Sequence, residues 1–157
     1  MRAADFGLAW LLVLFGPGGV LAADVLSLRV PEFISATAGQ DTMATIQVSV
    51  KRGYHVQANP VKNPSLVPIV LDVKPDEMVV PGPPVYPLSK KLRLGGSDED
   101  LAVYDGTFVI RLPIRIAPDT LRSRLILSGT LRYQACDDKH CLFPVTLPVK
   151  LIILVGR

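Results

Sequence analysis

The sequence has neither the excess of positive charge nor the aromatic content of a typical nucleic-acid-binding protein. Its 17 lysines and arginines stand against 14 aspartates and glutamates, a formal net charge of +3, and aromatic residues make up only 6% of the chain. The basic residues are scattered, without the interleaved aromatic side chains on which bases stack. We interpret these charges as a solvated surface and expect no nucleic acid among the partners.

The sequence also lacks an apolar run long enough to cross a membrane. The run at the amino terminus covers residues 7–15 and ends at a Gly-Pro-Gly-Gly sequence, far short of the roughly 20 residues that a transmembrane helix needs. A basic residue precedes this run and small residues follow it, which is typical of a secretory signal peptide. We therefore predict a signal peptide over residues 1–22, cleaved near Ala22 or Ala23. Residues 23–157 are predicted to form one exported, periplasmic domain that does not span the membrane.

Long helical patterns are absent as well, and the dominant hydrophobic period is two. Each of the 14 prolines disfavours a helix because it lacks a backbone N–H and fixes φ. Apolar residues alternate with mostly polar ones in the runs 46–50, 108–116, 125–133 and 147–155, the pattern of strands with one face in a core. Turn signals separate these runs. We predict an all-β fold, an antiparallel β-sandwich of seven or eight short strands.

One segment of the predicted domain lacks this strand pattern. Residues 75–100 contain several prolines, a Gly-Gly pair and an acidic cluster at residues 98–100. Loops of this length in a compact domain are usually functional or mobile. We therefore predict a long loop with a functional role in this segment.

Only two cysteines are present, so at most one disulfide can form within the chain. Cys136 and Cys141 flank the polar segment 137–140, and in an oxidising compartment such a close pair is expected to be bridged. Closing so small a ring stabilises a fold by only about 2 kcal/mol, and exposed bridges are the ones that exchange readily. The residues alone leave a redox-active bridge and a structural bridge equally open.

The residues between the cysteines bear on their chemistry. His140 and Lys139 would lower the pKa of a neighbouring thiol, whereas the two aspartates beside them would raise it. Cys136, His140 and Cys141 are also of the type that binds copper or zinc, with His55 or a methionine completing the shell. Neighbours on a strand point to opposite faces, so adjacent residues are poorly placed to bind one ion. A metal-binding envelope protein is a minor alternative, and we expect no cofactor.

The cysteine segment resembles the signature of a known family. Residues 133–144 read YQACDDKHCLFP, which is similar to the YQxC…CxxP motif of the N-terminal periplasmic domain of the thiol:disulfide interchange protein DsbD. Residues 53–60, GYHVQANP, resemble an early strand and turn of that domain, and residues 103–106, VYDG, resemble its middle. The likeness extends over residues 25–155, essentially the whole chain after the predicted signal peptide.

This resemblance implies both a fold and an activity. The fold would be an immunoglobulin-like sandwich. Its cysteine pair would take reducing equivalents from a membrane electron-donor protein and pass them to thioredoxin-like periplasmic oxidoreductases. That is a protein-disulfide reductase activity without a cofactor, of the kind that serves cytochrome c maturation. Where this chain stops, DsbD continues into a transmembrane electron carrier and a thioredoxin-like domain, so we expect this protein to obtain electrons from another chain.

The resemblance also implies roles for individual residues. By position in the motif, Cys136 is the sulfur that contacts partners, and Cys141 is the one that resolves the mixed disulfide. Tyr133 and Gln134 are expected to pack and position the cysteine hairpin, and His140 to help position it.

A cap loop that shields the cysteines is implied within residues 86–96, beginning at Tyr86. Family members commonly cover the pair with an aromatic side chain, whereas Leu92 and Leu94 are the apolar residues available in this sequence. His55 is expected to be a hydrogen-bonded strand residue and not a base. The alternative to a redox role is a non-catalytic envelope scaffold in which the bridge holds a loop.

Overall fold

The computed structural model describes residues 20–23, 25–61, 63–93 and 100–156. Over these ranges the secondary structure consists of strands and turns, and they contain no helix that could cross a membrane. Most of the predicted signal peptide, and Leu94 of the predicted cap, lie outside the described residues.

Thirteen strands make up the described part of the fold. In chain order they are β1 (Val20–Ala23), β2 (Leu26–Arg29), β3 (Ile34–Thr37), β4 (Asp41–Val50), β5 (His55–Gln57), β6 (Val70–Val73), β7 (Val79–Pro81), β8 (Lys90–Arg93), β9 (Asp100–Tyr104), β10 (Thr107–Ile116), β11 (Arg124–Tyr133), β12 (Ala135–Cys136) and β13 (Val145–Gly156). β1 pairs with β2 and reaches into the predicted signal peptide, whose cleavage stays a prediction.

The strands form three sheets around one core. The first sheet has the order β1-β2-β4-β10-β7, the second β3-β13-β11-β6, and the third β12-β5-β9-β8. Buried side chains from all three belong to a single hydrophobic cluster, and the inward faces of the first two sheets supply most of it, as in a sandwich. The fold is the all-β, immunoglobulin-like sandwich that the sequence predicts. It has more strands than predicted, and β3 pairs with β13 in parallel.

The sandwich core follows from the period-two pattern of its long strands. On β10, Ile110, Leu112, Ile114 and Ile116 are buried, while Arg111 and the residues that alternate with them are more exposed. Full burial of one such side chain contributes about 1.5–3 kcal/mol. A slip of one residue would turn the whole apolar set outward, so this pattern fixes the register of β10 against β4 and β7.

Gly129 interrupts the apolar alternation of β11, and the packing shows why. It lies opposite Val73 on β6 and Val149 on β13. A Cβ atom at this position would lie 2.3 Å from the carbonyl oxygen of Asp72 and 2.9 Å from the Cα atom of Val73. The absence of a side chain at Gly129 therefore lets β6 approach β11 closely.

The segment predicted as one long loop contains two strands. β7 pairs with β10 at the edge of the first sheet, with Val79 fully buried. β8 forms a hairpin with β9 and is the edge strand of the third sheet. An edge strand tolerates Pro81 because its outward N–H groups need no partner in the sheet. The prediction of an unbroken loop was therefore wrong, since proline content does not distinguish an edge strand from a loop.

The two faces of the third sheet differ: one packs against the core, and the other carries Cys136. Val56, Ala135 and Tyr104 are cross-strand neighbours and belong to the hydrophobic core. Because successive residues of a strand point to opposite faces, His55 and Cys136 project from the other side of the sheet. We call this side the outer face of the third sheet, and it carries the candidate site.

Candidate functional site

A disulfide hairpin lies at the edge of the third sheet. Cys136, the last residue of β12, is bonded to Cys141. The two residues face each other across an antiparallel bridge with a Cα–Cα separation of 3.9 Å. Next to the bridge, the backbone N–H of Leu142 donates a 2.8 Å hydrogen bond to the carbonyl oxygen of Ala135. The bridge and this hydrogen bond hold the two arms of the hairpin together.

The cysteine turn, residues 137–140, is held by the side chain of Asp137. Its Oδ1 atom accepts 2.7 Å hydrogen bonds from the backbone N–H groups of Lys139 and His140. These two bonds stabilise the carboxylate and lower the pKa of Asp137 below its ordinary value of 3.8. The turn is therefore organised around an ionised aspartate at neutral pH, and the predicted positioning residue His140 lies exposed within it.

The two cysteines differ strongly in exposure. Cys136 is only 2% exposed, whereas Cys141 is exposed to solvent. The residues after Cys141 are exposed as well, Leu142 to 40% and Phe143 to 91%. In this state Cys141 is the more exposed of the two residues. That exposure favours Cys141 for the partner contact that the motif implies for Cys136, and the roles of the two sulfurs stay a prediction. Position in the motif carries no information about which arm of the hairpin the fold covers.

Tyr133 and Gln134 lie where they can support the hairpin. Tyr133 is fully buried and continues the inward alternation of β11. The side-chain amide of Gln134 donates a 2.9 Å hydrogen bond to the carbonyl oxygen of Leu142. Tyr133 thus anchors the hairpin to the core, and Gln134 joins the strand before Cys136 to the residue after Cys141.

His55 lies directly opposite Cys136 on the neighbouring strand β5. Directly opposed residues of an antiparallel pair point to the same face, with Cβ atoms about 4.5–5.5 Å apart. His55 is only 5% exposed. Burial lowers the pKa of His55 below its ordinary value of 6.5, although the negative charges of Asp138, Asp105 and Asp137 partly oppose this shift. The imidazole beside the disulfide is therefore neutral at neutral pH.

The expected hydrogen bond of His55 is not found at its Nε2 atom. This buried atom has no hydrogen-bond partner among the residues that the structure describes. Sequence reasoning placed His55 on a strand but missed its contact with the cysteine hairpin. The pairing of β5 with β12 joins distant parts of the chain, and no local pattern signals it.

A cleft of about 210 Å³ opens on the outer face of the third sheet. Its lining includes His55, Asp138 of the cysteine turn and Leu92 of β8. Lys90 and Asp105 also line it and form an exposed ion pair with each other. Leu92, a predicted cap residue, thus shares a cleft with the cysteine turn, and its shielding role stays a prediction.

Tyr86, the other predicted cap residue in the described part of the chain, packs elsewhere. Its ring lies against the hydrophobic core, and its hydroxyl oxygen accepts a 2.8 Å hydrogen bond from the backbone N–H of Leu71 on β6. Burial raises the pKa of the Tyr86 phenol above its ordinary value of 10.0. These contacts tie the segment before β8 to the second sheet.

A metal centre gains no support from the geometry. The described residues contain no group of three or more His, Cys, Asp or Glu side chains that could hold a metal ion. Cys136 and Cys141 are bonded to each other, so their sulfurs are not available as thiolate ligands in this state. The arrangement instead offers one accessible sulfur, one buried sulfur and a buried imidazole.

Comparison with known families connects this site to a sequence family. The sequence profile of the family described as thiol:disulfide interchange protein DsbD, N-terminal, matches residues 24–152. This range includes both cysteines, His55 and Leu92. Among curated protein sequences, none matches the chain significantly.

Two solved structures are among those similar to this chain. The N-terminal periplasmic domain of ScsB from Proteus mirabilis is 14% identical with a TM-score of 0.60, covering 85% of this chain and 49% of that one. The N-terminal domain of DsbD from Neisseria meningitidis, in its reduced form, is 16% identical with a TM-score of 0.44, covering 73% of this chain and 79% of that one. This chain spans about half the length of the ScsB structure, and that likeness shows a shared fold.

Proposed function

Because the chain belongs to the family of the N-terminal domain of the thiol:disulfide interchange protein DsbD, we propose that it relays reducing equivalents between proteins through Cys136 and Cys141. It accepts them from a membrane electron-donor protein and delivers them to thioredoxin-like oxidoreductases in the periplasm. Its activity is that of a protein-disulfide reductase. The unequal exposure of the two cysteines carries this proposal, since it gives the disulfide one defined point of attack.

The exchange follows from that asymmetry. A thiolate of the donor attacks the Sγ atom of Cys141, a new sulfur–sulfur bond forms, and the Cys136–Cys141 bond breaks with its electron pair on Cys136. A second donor thiol then resolves the mixed disulfide, so that the donor leaves oxidised and this protein holds two thiols. Delivery to a client runs the same steps in reverse, with Cys141 attacking the client disulfide and Cys136 closing the ring.

The surroundings of Cys141 support exchange with proteins. A mixed disulfide brings the two Cα atoms to about 4.4–6.8 Å. A partner at that distance covers the residues next to Cys141, which include the exposed side chains of Leu142 and Phe143. Burial of an aromatic ring contributes strongly at protein interfaces. Cys141 is therefore presented together with apolar surface that a protein partner buries.

The proposed location rests on two observations. The sequence pattern at the amino terminus is typical of a secretory signal peptide. The related ScsB domain is described as periplasmic. Disulfides persist in that compartment and are rare in the cytosol, which agrees with a bridge that forms and reopens during function.

Trapping tests the relay directly. A Cys136→Ser variant keeps the exposed sulfur and loses the residue that would release a bound partner, so it should accumulate a mixed disulfide with a thioredoxin-like periplasmic oxidoreductase. The matched Cys141→Ser variant keeps only the buried sulfur and should trap far less. Non-reducing electrophoresis and mass spectrometry identify the adduct. Absence of any adduct in both variants would contradict the proposal.

The reduction potential separates a relay from a structural bridge. Structural disulfides of secreted proteins have potentials below about −300 mV. We expect a value above this in glutathione or dithiothreitol buffers. A lower value, together with a double Cys136→Ser, Cys141→Ser variant that keeps its partner binding, would support the scaffold alternative instead.

A further inference from the structure

We propose that His55 accepts and returns the proton of the Cys136 thiol as the disulfide closes and opens. This inference rests on the proposed exchange activity and deepens it. It assigns a chemical role to a residue on β5, distant in sequence from the cysteine motif. His55 would carry the proton of the buried sulfur of Cys136. The exchange steps described above name no group that does so.

Three observations place His55 in this role. It is the direct cross-strand neighbour of Cys136 and shares its face of the third sheet. It is 95% buried, at 5% exposure, and its Nε2 atom has no hydrogen-bond partner among the described residues. An unpartnered buried polar atom is costly, and opening of the disulfide would create an S–H group on the directly opposed residue of the neighbouring strand.

Cys136 needs such a neighbour because of its burial. At 2% exposure, its thiolate would be poorly hydrated, and burial disfavours the charged form of a thiol. Cys141 is exposed and exchanges its proton with water. Proton transfer therefore limits the chemistry at Cys136 more than at Cys141.

Protons and electron pairs balance in both directions of exchange. When the disulfide opens, Cys136 leaves with the electron pair of the broken bond. The proton lost when the donor thiol ionises enters from the cleft that His55 lines, and it reaches Cys136 through the imidazole. When the disulfide closes, the Cys136 thiol gives its proton to Nε2, and the resulting thiolate attacks Cys141. The client sulfur leaves as a thiolate, and the imidazolium returns the proton to solvent.

Charged groups around the cleft change how readily His55 takes up the proton. Those with negative charge stabilise the imidazolium that forms during closing, and those with positive charge oppose it. The titratable groups facing His55 are Asp137 and Asp138 on the cysteine turn, Asp105 after β9, Lys90 and Lys91 on β8, and Tyr54 beside His55. Lys90 is paired with Asp105, which neutralises part of the opposing charge.

The test uses the reduced, full-length mature protein and 5,5′-dithiobis(2-nitrobenzoate). The exposed Cys141 thiolate releases one thionitrobenzoate and becomes a mixed disulfide. Cys136 then attacks Cys141 and releases the second. Stopped-flow absorbance resolves the two releases, and the second reports proton removal from Cys136 from about pH 5 to about pH 9, a range that spans the ordinary His and Cys pKa values.

With a histidine acceptor, the rate of the second release should be nearly constant above the ordinary His pKa of 6.5 and should fall at lower pH. In a His55→Gln variant, it should be at least about tenfold slower at pH 7 and should rise with pH toward the ordinary Cys pKa of about 8.5. The first release should be unchanged. The control is Arg124→Gln, at an exposed position at the start of β11, the end of that strand far from the disulfide. It should keep the wild-type profile.

Each outcome has a distinct meaning. An unchanged second release in His55→Gln, or a wild-type rate that rises steadily with pH without a plateau, would overturn the role of His55. The wild-type profile decides this even where the variant does not fold. Failure of the wild type to release a second thionitrobenzoate, or resistance of its disulfide to dithiothreitol, would instead overturn the exchange activity.

Discussion

The side-chain amide of Gln134 donates a 2.9 Å hydrogen bond to the carbonyl oxygen of Leu142, which links the two arms of the disulfide hairpin outside the ring. Gln134 follows the fully buried Tyr133, so the link runs from the core to the exposed arm. It constrains the arm that carries Cys141.

Replacing Gln134 with Ala should therefore loosen the exposed arm. Loss of one hydrogen bond costs about 1 kcal/mol, or roughly a fivefold change in the opening equilibrium. The backbone N–H of Leu142, which donates to Ala135, should exchange with deuterium faster by this factor. Gln134→Glu keeps the size of the side chain but lacks the donor, so it should behave like the Ala variant. Wild-type exchange in Gln134→Glu would mean that packing, and not the hydrogen bond, holds the arm.

Replacing Phe143 with Ala should slow exchange with protein partners and spare exchange with small thiols. The Phe143 side chain is 91% exposed two residues after Cys141, where a docked protein covers it and dithiothreitol does not. We expect kcat/KM for a thioredoxin-like partner to fall about tenfold, the effect of roughly 1.4 kcal/mol of lost aromatic contact. The rate with dithiothreitol should stay unchanged.

Leu121 offers a matched control for this experiment. It is 88% exposed and precedes the start of β11, whereas the disulfide follows the end of that strand. The ten residues of β11 place about 30 Å between the two ends. Leu121→Ala should leave both rates at the wild-type level, and equal losses in the two variants would point to a general effect of lost apolar surface.

The acid behaviour of the cysteine turn should follow Asp137. Because its folded-state pKa is lowered, the carboxylate contributes stability that is present above its ordinary pKa of 3.8 and is lost as the pH falls through the lower folded value. The amide resonances of Lys139 and His140, which donate to Asp137, should titrate with a midpoint below 3.8. Asp137→Asn keeps an oxygen acceptor that does not ionise, so this titration should vanish. A midpoint at or above 3.8 would contradict the hydrogen-bonded turn.

Gly129→Ala should destabilise the sandwich. The added Cβ atom would lie 2.3 Å from the Asp72 carbonyl oxygen, and overpacking of this kind costs about 1–3 kcal/mol. Gly156→Ala is the matched control in a strand, since the nearest atom to its added Cβ lies 3.8 Å away, and it should change stability by less than about 0.5 kcal/mol. Urea unfolding measures both, and equal values would mean that β6 adjusts without cost.

The sequence predicts the parts of this fold that depend on local periodicity. The alternation on β10 identifies both the strand and the side chains that face the core, from Ile110 to Ile116. The strands β7 and β8 were missed because they are short and lie in a proline-rich segment. Their stability comes from pairing with β10 and β9, and such pairing depends on residues elsewhere in the chain.

The candidate site shows the same limit. The motif alone identifies Cys136 and Cys141 as a pair, since two close cysteines need no further context. Which of them is exposed depends on how the third sheet is covered, and the motif alone does not reveal this. The position of His55 opposite Cys136 depends on the pairing of β5 with β12, which no spacing within either segment reveals.

The parallel pairing of β3 with β13 has a consequence for how the chain matures. β13 is the last described strand, and it joins β11 on one side to the early strand β3 on the other. As the chain is synthesised, the second sheet stays open until β13 has emerged. Cys136 and Cys141 emerge before β13, so both thiols are present while the sheet is still incomplete. The order of the chain thus allows the disulfide ring to form before the second sheet is complete, and oxidation does not have to wait for the finished domain.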